Sequence, residues 1–123
     1  MAERREAVTF TSLDVPGVQL AGALHLPGGA AGHWPGVILC HPQPLVADMD
    51  DPLLLQLATD LAQSGLAALR FNFRGVPPSQ GSGTDGRLEP LDVGGAVAWL
   101  AARPEIDSRR MALVGHAFGA IVA

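Results

Sequence analysis

The sequence predicts an α/β fold, a mostly parallel sheet that opens with an antiparallel hairpin. Three observations carry that prediction. Two β-patterned segments near the N-terminus flank Asp14-Val15-Pro16-Gly17, a run of residue types that reverses a chain tightly. Three short runs rich in apolar residues follow, ending at Cys40, Phe73 and Gly115; such runs suit strands buried on both faces of a parallel sheet. Two segments with helical apolar spacing separate them, as crossovers between parallel strands require.

In order, residues 7–12 and 18–26 form the hairpin strands, 28–33 a flexible surface loop, and 36–40 the first buried strand. Residues 52–64 carry Leu54, Leu57, Ala58 and Leu61 along one helical stripe, with Pro52 suited to the first turn and Gly65 to the stop. Residues 66–73 form the second buried strand, and a loop rich in Gly, Pro and Ser occupies 74–87. Residues 89–102 form a second helix, apolar at Leu91, Val93, Val97 and Leu100 and ending near Pro104. Residues 111–115 form the third buried strand, the fifth in all, and the chain stops shortly after it. No repeat or linker divides the sequence, so residues 1–123 are expected to be a single domain, the N-terminal portion of a larger α/β unit truncated after the fifth strand.

A chain of 123 residues is long enough for one small domain. Hydrophobic residues make up 48%, enough to build a core and unlike a disordered chain. The formal net charge of −4 is spread over scattered charges of both signs, without the basic patch that nucleic acid or an anionic membrane would require. Cys40 is the single cysteine, so no internal disulfide forms. The charged start Met1-Ala2-Glu3-Arg4-Arg5-Glu6 is unlike a secretory signal, and no stretch reaches the length of a membrane span. The expectations are a cytoplasmic location, no nucleic acid, no membrane and no cofactor.

Ligands of parallel sheets gather beyond the carboxyl ends of the strands, which directs attention to the residues after Cys40, Phe73 and Gly115. The last of these is followed by His116-Ala117-Phe118-Gly119 and the start of a helix. Gly115 to Gly119 is thus the frame of the nucleophile elbow G-x-S-x-G, where a serine sits on a sharp strand-to-helix turn. Ala117 occupies the serine position and has no hydroxyl, thiol or carboxylate. Gly115 lets the backbone leave the strand at an angle that crowds a Cβ, and Gly119 lets the helix approach a neighbouring strand. The same pentapeptide also suits a tight strand–helix junction with no chemistry.

Three segments, in order, resemble successive signatures of the α/β-hydrolase superfamily: Leu39-Cys40-His41-Pro42-Gln43-Pro44, Leu69-Arg70-Phe71-Asn72-Phe73-Arg74-Gly75, and the pentapeptide at 115–119. The branch they resemble is that of dienelactone-hydrolase-like and small esterase-like proteins, with H-P-x-P, R-F-N-F-R-G and G-x-S-x-G after the third, fourth and fifth strands. The likeness runs from about residue 18 to 123. It implies hydrolysis of an ester, thioester, lactone or amide in the parent family, on a small acyl-bearing substrate. It also implies an oxyanion hole of N–H donors. One donor is the residue after the nucleophile position, here Phe118 at a helix N-terminus whose dipole favours an anion. The other belongs to the loop after the third strand. Pro42 and Pro44 have no N–H, which leaves Gln43, with Leu45 next; the alternative is that the two prolines only stiffen an exposed loop. The family pattern continues after Arg74-Gly75 with another glycine and a serine, whereas this chain has Val76-Pro77-Pro78-Ser79, a stiffer loop.

The remaining candidates read as structural. His41, at a buried strand end, suits packing or hydrogen bonding, and the side chain of His116 points away from the elbow's reactive direction. Arg74 suits a carboxylate pair that holds the following loop. Ser79 and Ser82 lie in a mobile polar loop with no base beside them. Asp48, Asp50 and Asp51 read as a solvated loop and helix start, with Asp51 capping ahead of Pro52, rather than as a metal site. Cys40 and His41 are adjacent and face opposite ways, which leaves Cys40 a core thiol. A triad in this fold continues from the nucleophile to an acid and then a histidine, and neither follows Ala117. The chain is therefore expected to be inactive as a serine hydrolase, or else a non-catalytic module that uses the pocket to hold an acyl-bearing ligand or a partner. A nucleotide-binding domain is disfavoured, because neither G-x-G-x-x-G nor a Walker sequence follows a strand. The open sheet edge at the last strand points to self-association.

Overall fold

The computed structural model describes residues 3–28 and 32–123, so the loop expected at 28–33 lies in part outside the described residues. The elements run β1 (Arg4–Thr11), β2 (Gln19–Leu26), β3 (Trp34–Cys40), α1 (Pro52–Gln63), β4 (Ala67–Phe71), α2 (Glu89–Ala101), β5 (Ile106–Gly115) and α3 (Phe118–Val122). β1 and β2 form the expected antiparallel hairpin, with Arg4 opposite Leu26 and Thr11 opposite Gln19. β2 pairs antiparallel with β4, and β3 pairs parallel with both β4 and β5. The result is a five-stranded mixed sheet in the order β1-β2-β4-β3-β5.

β3 shows why its sequence carries no polar alternation. Val37 and Leu39 cluster with Leu54 and Ala58 of α1, while Ile38 and Cys40 cluster with Val93, Ala96 and Leu100 of α2. With a helix on each face, neither side of the strand has a place for polar residues. α1 begins as its sequence dictates: the Asp51 carboxylate accepts from the Leu54 N–H at 3.2 Å, and Pro52 takes the first helical position. It ends at Gly65, whose φ of +93° suits a residue without a Cβ. No helix among the described residues is long and apolar enough to cross a membrane.

From β3 the chain passes through α1 to β4 on one side, then returns through α2 to β5 on the other. The carboxyl ends of β3 and β5 therefore flank the point where the strand order reverses, the place where open α/β sheets leave a crevice.

Strand boundaries depart from the sequence pattern for identifiable reasons. β1 starts at Arg4, because an outer strand can pair its backbone while Arg4 and Arg5 remain in water. β4 gives way after Phe71: Asn72 N–H still reaches the Ala21 carbonyl of β2 at 2.9 Å, but Phe73 N–H turns to His41 Nε2 at 3.1 Å. β5 starts at Ile106 and is irregular, with Ile106 opposite Trp34 but Met111 already opposite Gly36. Asp107 ties this bulge together, accepting from Arg109 N–H at 3.1 Å and Arg110 Nε at 2.8 Å.

The burial expected for the last strand needs correction. The apolar run 111–115 is not buried: β5 is the outer strand, with Leu113 44% and Val114 37% exposed. Its composition suits two covered faces, but as the outer strand it leaves residues 112–114 exposed.

Candidate functional site at the strand ends of β3 and β5

The turn from β5 into α3 is held by close backbone contacts. His116 N–H donates to the Cys40 carbonyl at 3.1 Å, tying the turn to the end of β3. A Cβ on Gly115 would overlap the Ala120 backbone, and one on Gly119 would overlap the carbonyls of Cys40 and His41. Both glycines are thus required by space. Between them, Ala117 adopts φ 55° and ψ −113°. A residue with a Cβ reaches that region at a cost of about 1–3 kcal/mol, and such strain gathers at functional sites. The turn is sharp, and the residue at its strained position carries only a methyl group.

The loop after β3 is fixed by His41. This buried ring accepts the Phe73 N–H at Nε2 and donates from Nδ1 to the Pro42 carbonyl at 2.7 Å. That pair of bonds makes it the neutral Nδ1–H tautomer, and burial lowers its pKa in the same sense. His41 has no nitrogen left for proton transfer and is a brace, as its position suggested. The carbonyl of Gln43 closes the next turn by accepting from Val46 N–H at 3.1 Å and Ala47 N–H at 2.9 Å. The N–H groups of Gln43 and Phe118 donate to no protein group among the described residues.

Gln43 and Phe118 line the same cleft, of about 380 Å³, together with Pro44, Leu45, Gly83, Asp85 and Glu89. Because α3 spans only Phe118–Val122, no long helix dipole stands behind the Phe118 N–H. A larger depression of about 460 Å³ lies across the Pro44–Leu45 ridge, lined by Asp48, Asp50 and Asp51. Those carboxylates are engaged within the protein. Asp48 accepts from Asp50 N–H at 2.9 Å, Asp50 pairs with Arg70 at 2.7 Å, and Asp51 caps α1. Phe118, at the turn from β5 into α3, lines the smaller cleft.

Two buried ion networks hold the surroundings. Arg74 donates to Asp92 of α2 through its backbone N–H and Nε, both at 2.9 Å, and through Nη2 at 2.7 Å. It also forks onto Asp14 of the hairpin turn at 2.8 and 3.1 Å. The Arg74 bonds and the Ser12 hydroxyl hold the Asp14 carboxyl well below its usual range, whereas burial pushes that of Asp92 up against the pull of Arg74. In the second network, Arg70 Nε donates to His25 Nε2 at 2.8 Å, and His25 Nδ1 donates to Glu3 at 2.7 Å. Burial lowers the His25 pKa, with the Arg70 charge adding to it.

Other side chains fall as follows. Cys40 is a buried thiol, pushed up to about 12 by burial. His116 is turned to Asp51, with Nδ1 and the carboxylate 3.3 Å apart. Ser79 does not lie in a mobile loop: it is buried, donates to the Asn72 carbonyl at 2.7 Å and accepts the Ala21 N–H at 2.9 Å. A sheet backbone group left unpaired at β2 draws the hydroxyl inward.

Glu89 belongs to none of the sequence motifs. This buried carboxylate accepts from Thr84 N–H at 2.8 Å, Gly86 N–H at 3.1 Å and the Thr84 hydroxyl. Burial alone would raise its pKa, but these donors outweigh it and hold it below the ordinary carboxylate range. Its one sequence signal was an acid in the first turn of a helix, a commonplace position.

No family model matches the chain. Among curated proteins it is 35% identical over 91 residues to the uncharacterized protein RP471 of Rickettsia prowazekii (strain Madrid E), which covers 72% of this chain and 37% of that protein. Among solved structures it is similar to the α/β hydrolase GrgF from a Penicillium species, with a TM-score of 0.83 and 28% identity over 97% of this chain and 39% of that one. It is also similar to the Pyrococcus furiosus esterase Pf2001, with a TM-score of 0.81 and 27% identity over 98% of this chain and 46% of that one. A third is XC6422 from Xanthomonas campestris, an α/β serine hydrolase without a lid, with a TM-score of 0.75 and 30% identity over 95% of this chain and 53% of that one. The chain thus spans between about a third and a half of the length of the proteins it matches. Sheet order and neighbours agree that the chain has an α/β-hydrolase-like fold.

Proposed function

We propose that this chain forms the oxyanion-binding part of an acyl-hydrolase site, for an ester, thioester, lactone or amide, and that it has no serine-hydrolase turnover of its own. Ala117 occupies the nucleophile position, and Gln43 and Phe118 supply the N–H donors. The observation that carries this reading is the Ala117 backbone at φ 55°, wedged between two glycines that admit no Cβ. Backbone strain of this kind clusters where a fold positions a reacting group. The H-P-x-P and R-F-N-F-R-G segments support the dienelactone-hydrolase-like and small-esterase-like branch. The buried free thiol of Cys40 suits the cytoplasm.

A second reading is favoured by Ala117 itself. With a methyl group in place of a nucleophile, the cleft retains an acyl-bearing ligand or partner instead of cleaving it. Self-association through the β5 edge belongs with either reading.

The test is titration of the ¹⁵N-labelled chain with hexanoate, whose carboxylate imitates an acyl oxygen. The amide resonances of Gln43 and Phe118 should shift together along one saturating curve. Shifts confined to other residues would refute the oxyanion reading.

A further inference from the structure

We infer that Asp85 is a specificity-determining residue of the elbow cleft, selecting acyl compounds that carry a cationic amine away from the acyl carbon. This rests on the reading that Gln43 and Phe118 receive an acyl oxygen.

Two non-glycine residues among those described have a positive φ: Ala117 at 55° and Asp85 at 54°. Asp85 lines the cleft, and Ala117 immediately precedes the Phe118 that lines it. The peptide groups on either side of Asp85 are clamped. Glu89 takes the N–H groups of Thr84 and Gly86, Leu88 N–H donates to the Thr84 hydroxyl at 2.8 Å, and Arg87 N–H donates to the Thr84 carbonyl at 3.2 Å. With both flanking peptide groups held, the Asp85 backbone keeps a fixed place on the cleft wall.

The cleft's charge balance gives that side chain a use. Glu89 is buried and spends its oxygens on Thr84 and Gly86, and the other lining residues are neutral. Asp85 is exposed and has no hydrogen-bond or ion-pair partner among the described residues, while Arg87 does not line the cleft. The cleft therefore offers N–H donors from Gln43 and Phe118, and a free carboxylate elsewhere on its wall. A ligand complementary to that potential places oxygen at the donors and an ammonium near Asp85; an acidic acyl chain is repelled.

The experiment extends the hexanoate titration to matched pairs: butyrate, hexanoate and octanoate against 4-aminobutyrate, 6-aminohexanoate and 8-aminooctanoate. Each is titrated into the chain and into Asp85→Asn, both checked for an unchanged fold by their amide spectra. At least one amino acid should bind about threefold more tightly than its unsubstituted partner, the scale of one exposed ion pair, and Asp85→Asn should abolish that difference. A preference that survives Asp85→Asn overturns the assignment to this residue. Alkanoates that shift Gln43 and Phe118 with no gain from the amine overturn the inference and leave the oxyanion reading standing. If no carboxylate moves those two amides, both fall together.

Discussion

Gly119 lies so close to Cys40 that a methyl group on it would overlap the Cys40 carbonyl oxygen. That contact, with the His116-to-Cys40 hydrogen bond beside it, fixes where the elbow stands over the sheet. Gly119→Ala should therefore destabilise the fold, although alanine is the better helix former by about 1 kcal/mol. Overlap with a carbonyl of a central strand cannot be relieved by rotating a side chain. The expected net loss is about 2–3 kcal/mol in urea unfolding. An unchanged or raised midpoint would show that α3 can move away from β3 freely.

Arg74 and Asp92 should behave as a buried pair. Arg74→Ala leaves the Asp92 carboxylate in the core without its partner, a loss of about 3–5 kcal/mol. The double variant Arg74→Met with Asp92→Asn buries no charge and keeps an oxygen to accept the backbone N–H of residue 74. It should recover more than half of that loss. A double variant no more stable than Arg74→Ala would mean that the Asp14 arm, rather than the buried pair, is what the fold needs.

Ala117 predicts silence toward serine chemistry. A fluorophosphonate should not label the chain, since removing the serine of a triad enzyme costs about 10⁶ in turnover. Ala117→Ser alone should not restore hydrolysis of a p-nitrophenyl ester. A hydroxyl needs a base to take its proton. His41 has both nitrogens engaged, His25 lies between Glu3 and Arg70, and His116 is turned to Asp51. Saturable hydrolysis by Ala117→Ser, well above the unmutated chain, would place a base where none has been recognised.

Stability should fall on mild acidification. Burial holds the pKa of His41 and His25 below the ordinary histidine value of 6.5. Below that value the unfolded chain binds more protons than the folded one, so this contribution is complete above it and is lost as pH falls toward the folded pKa. The slope is at most about 1.4 kcal/mol per pH unit for each ring. Asp92, with its pKa raised from 3.8, acts in the opposite sense above that value. His41→Gln removes the His41 share, so its unfolding free energy should change less between pH 7 and 5.5 than that of the unmutated chain. Equal changes would show that His41 keeps its proton affinity on folding.

The exposed face of β5 should drive concentration-dependent association through unpaired backbone and apolar side chains. Val114→Lys places a charge at that edge and should shift sedimentation toward the monomer. If the variant associates as strongly as the unmutated chain, another surface is responsible.

The sequence by itself determined the alternation of elements and the places where chemistry could lie. Apolar runs, the Asp51-Pro52 helix start, the Gly65 stop and the glycines at 115 and 119 act over neighbouring residues, and their physical demands are local. Those demands put Gln43 and Phe118 at strand ends, and the strand order brought the two into one cleft. What only the tertiary structure decided depended on partners distant along the chain. Arg74 found Asp14 and Asp92, and Ser79 was drawn in by a β2 amide, because buried polar groups take whichever complementary group the fold delivers. Glu89 acquired its meaning only when the 84–86 loop folded over it. Along 111–115 the sequence showed an open edge but not how far its side chains are exposed, because composition records what a strand suits and the sheet order decides what covers it.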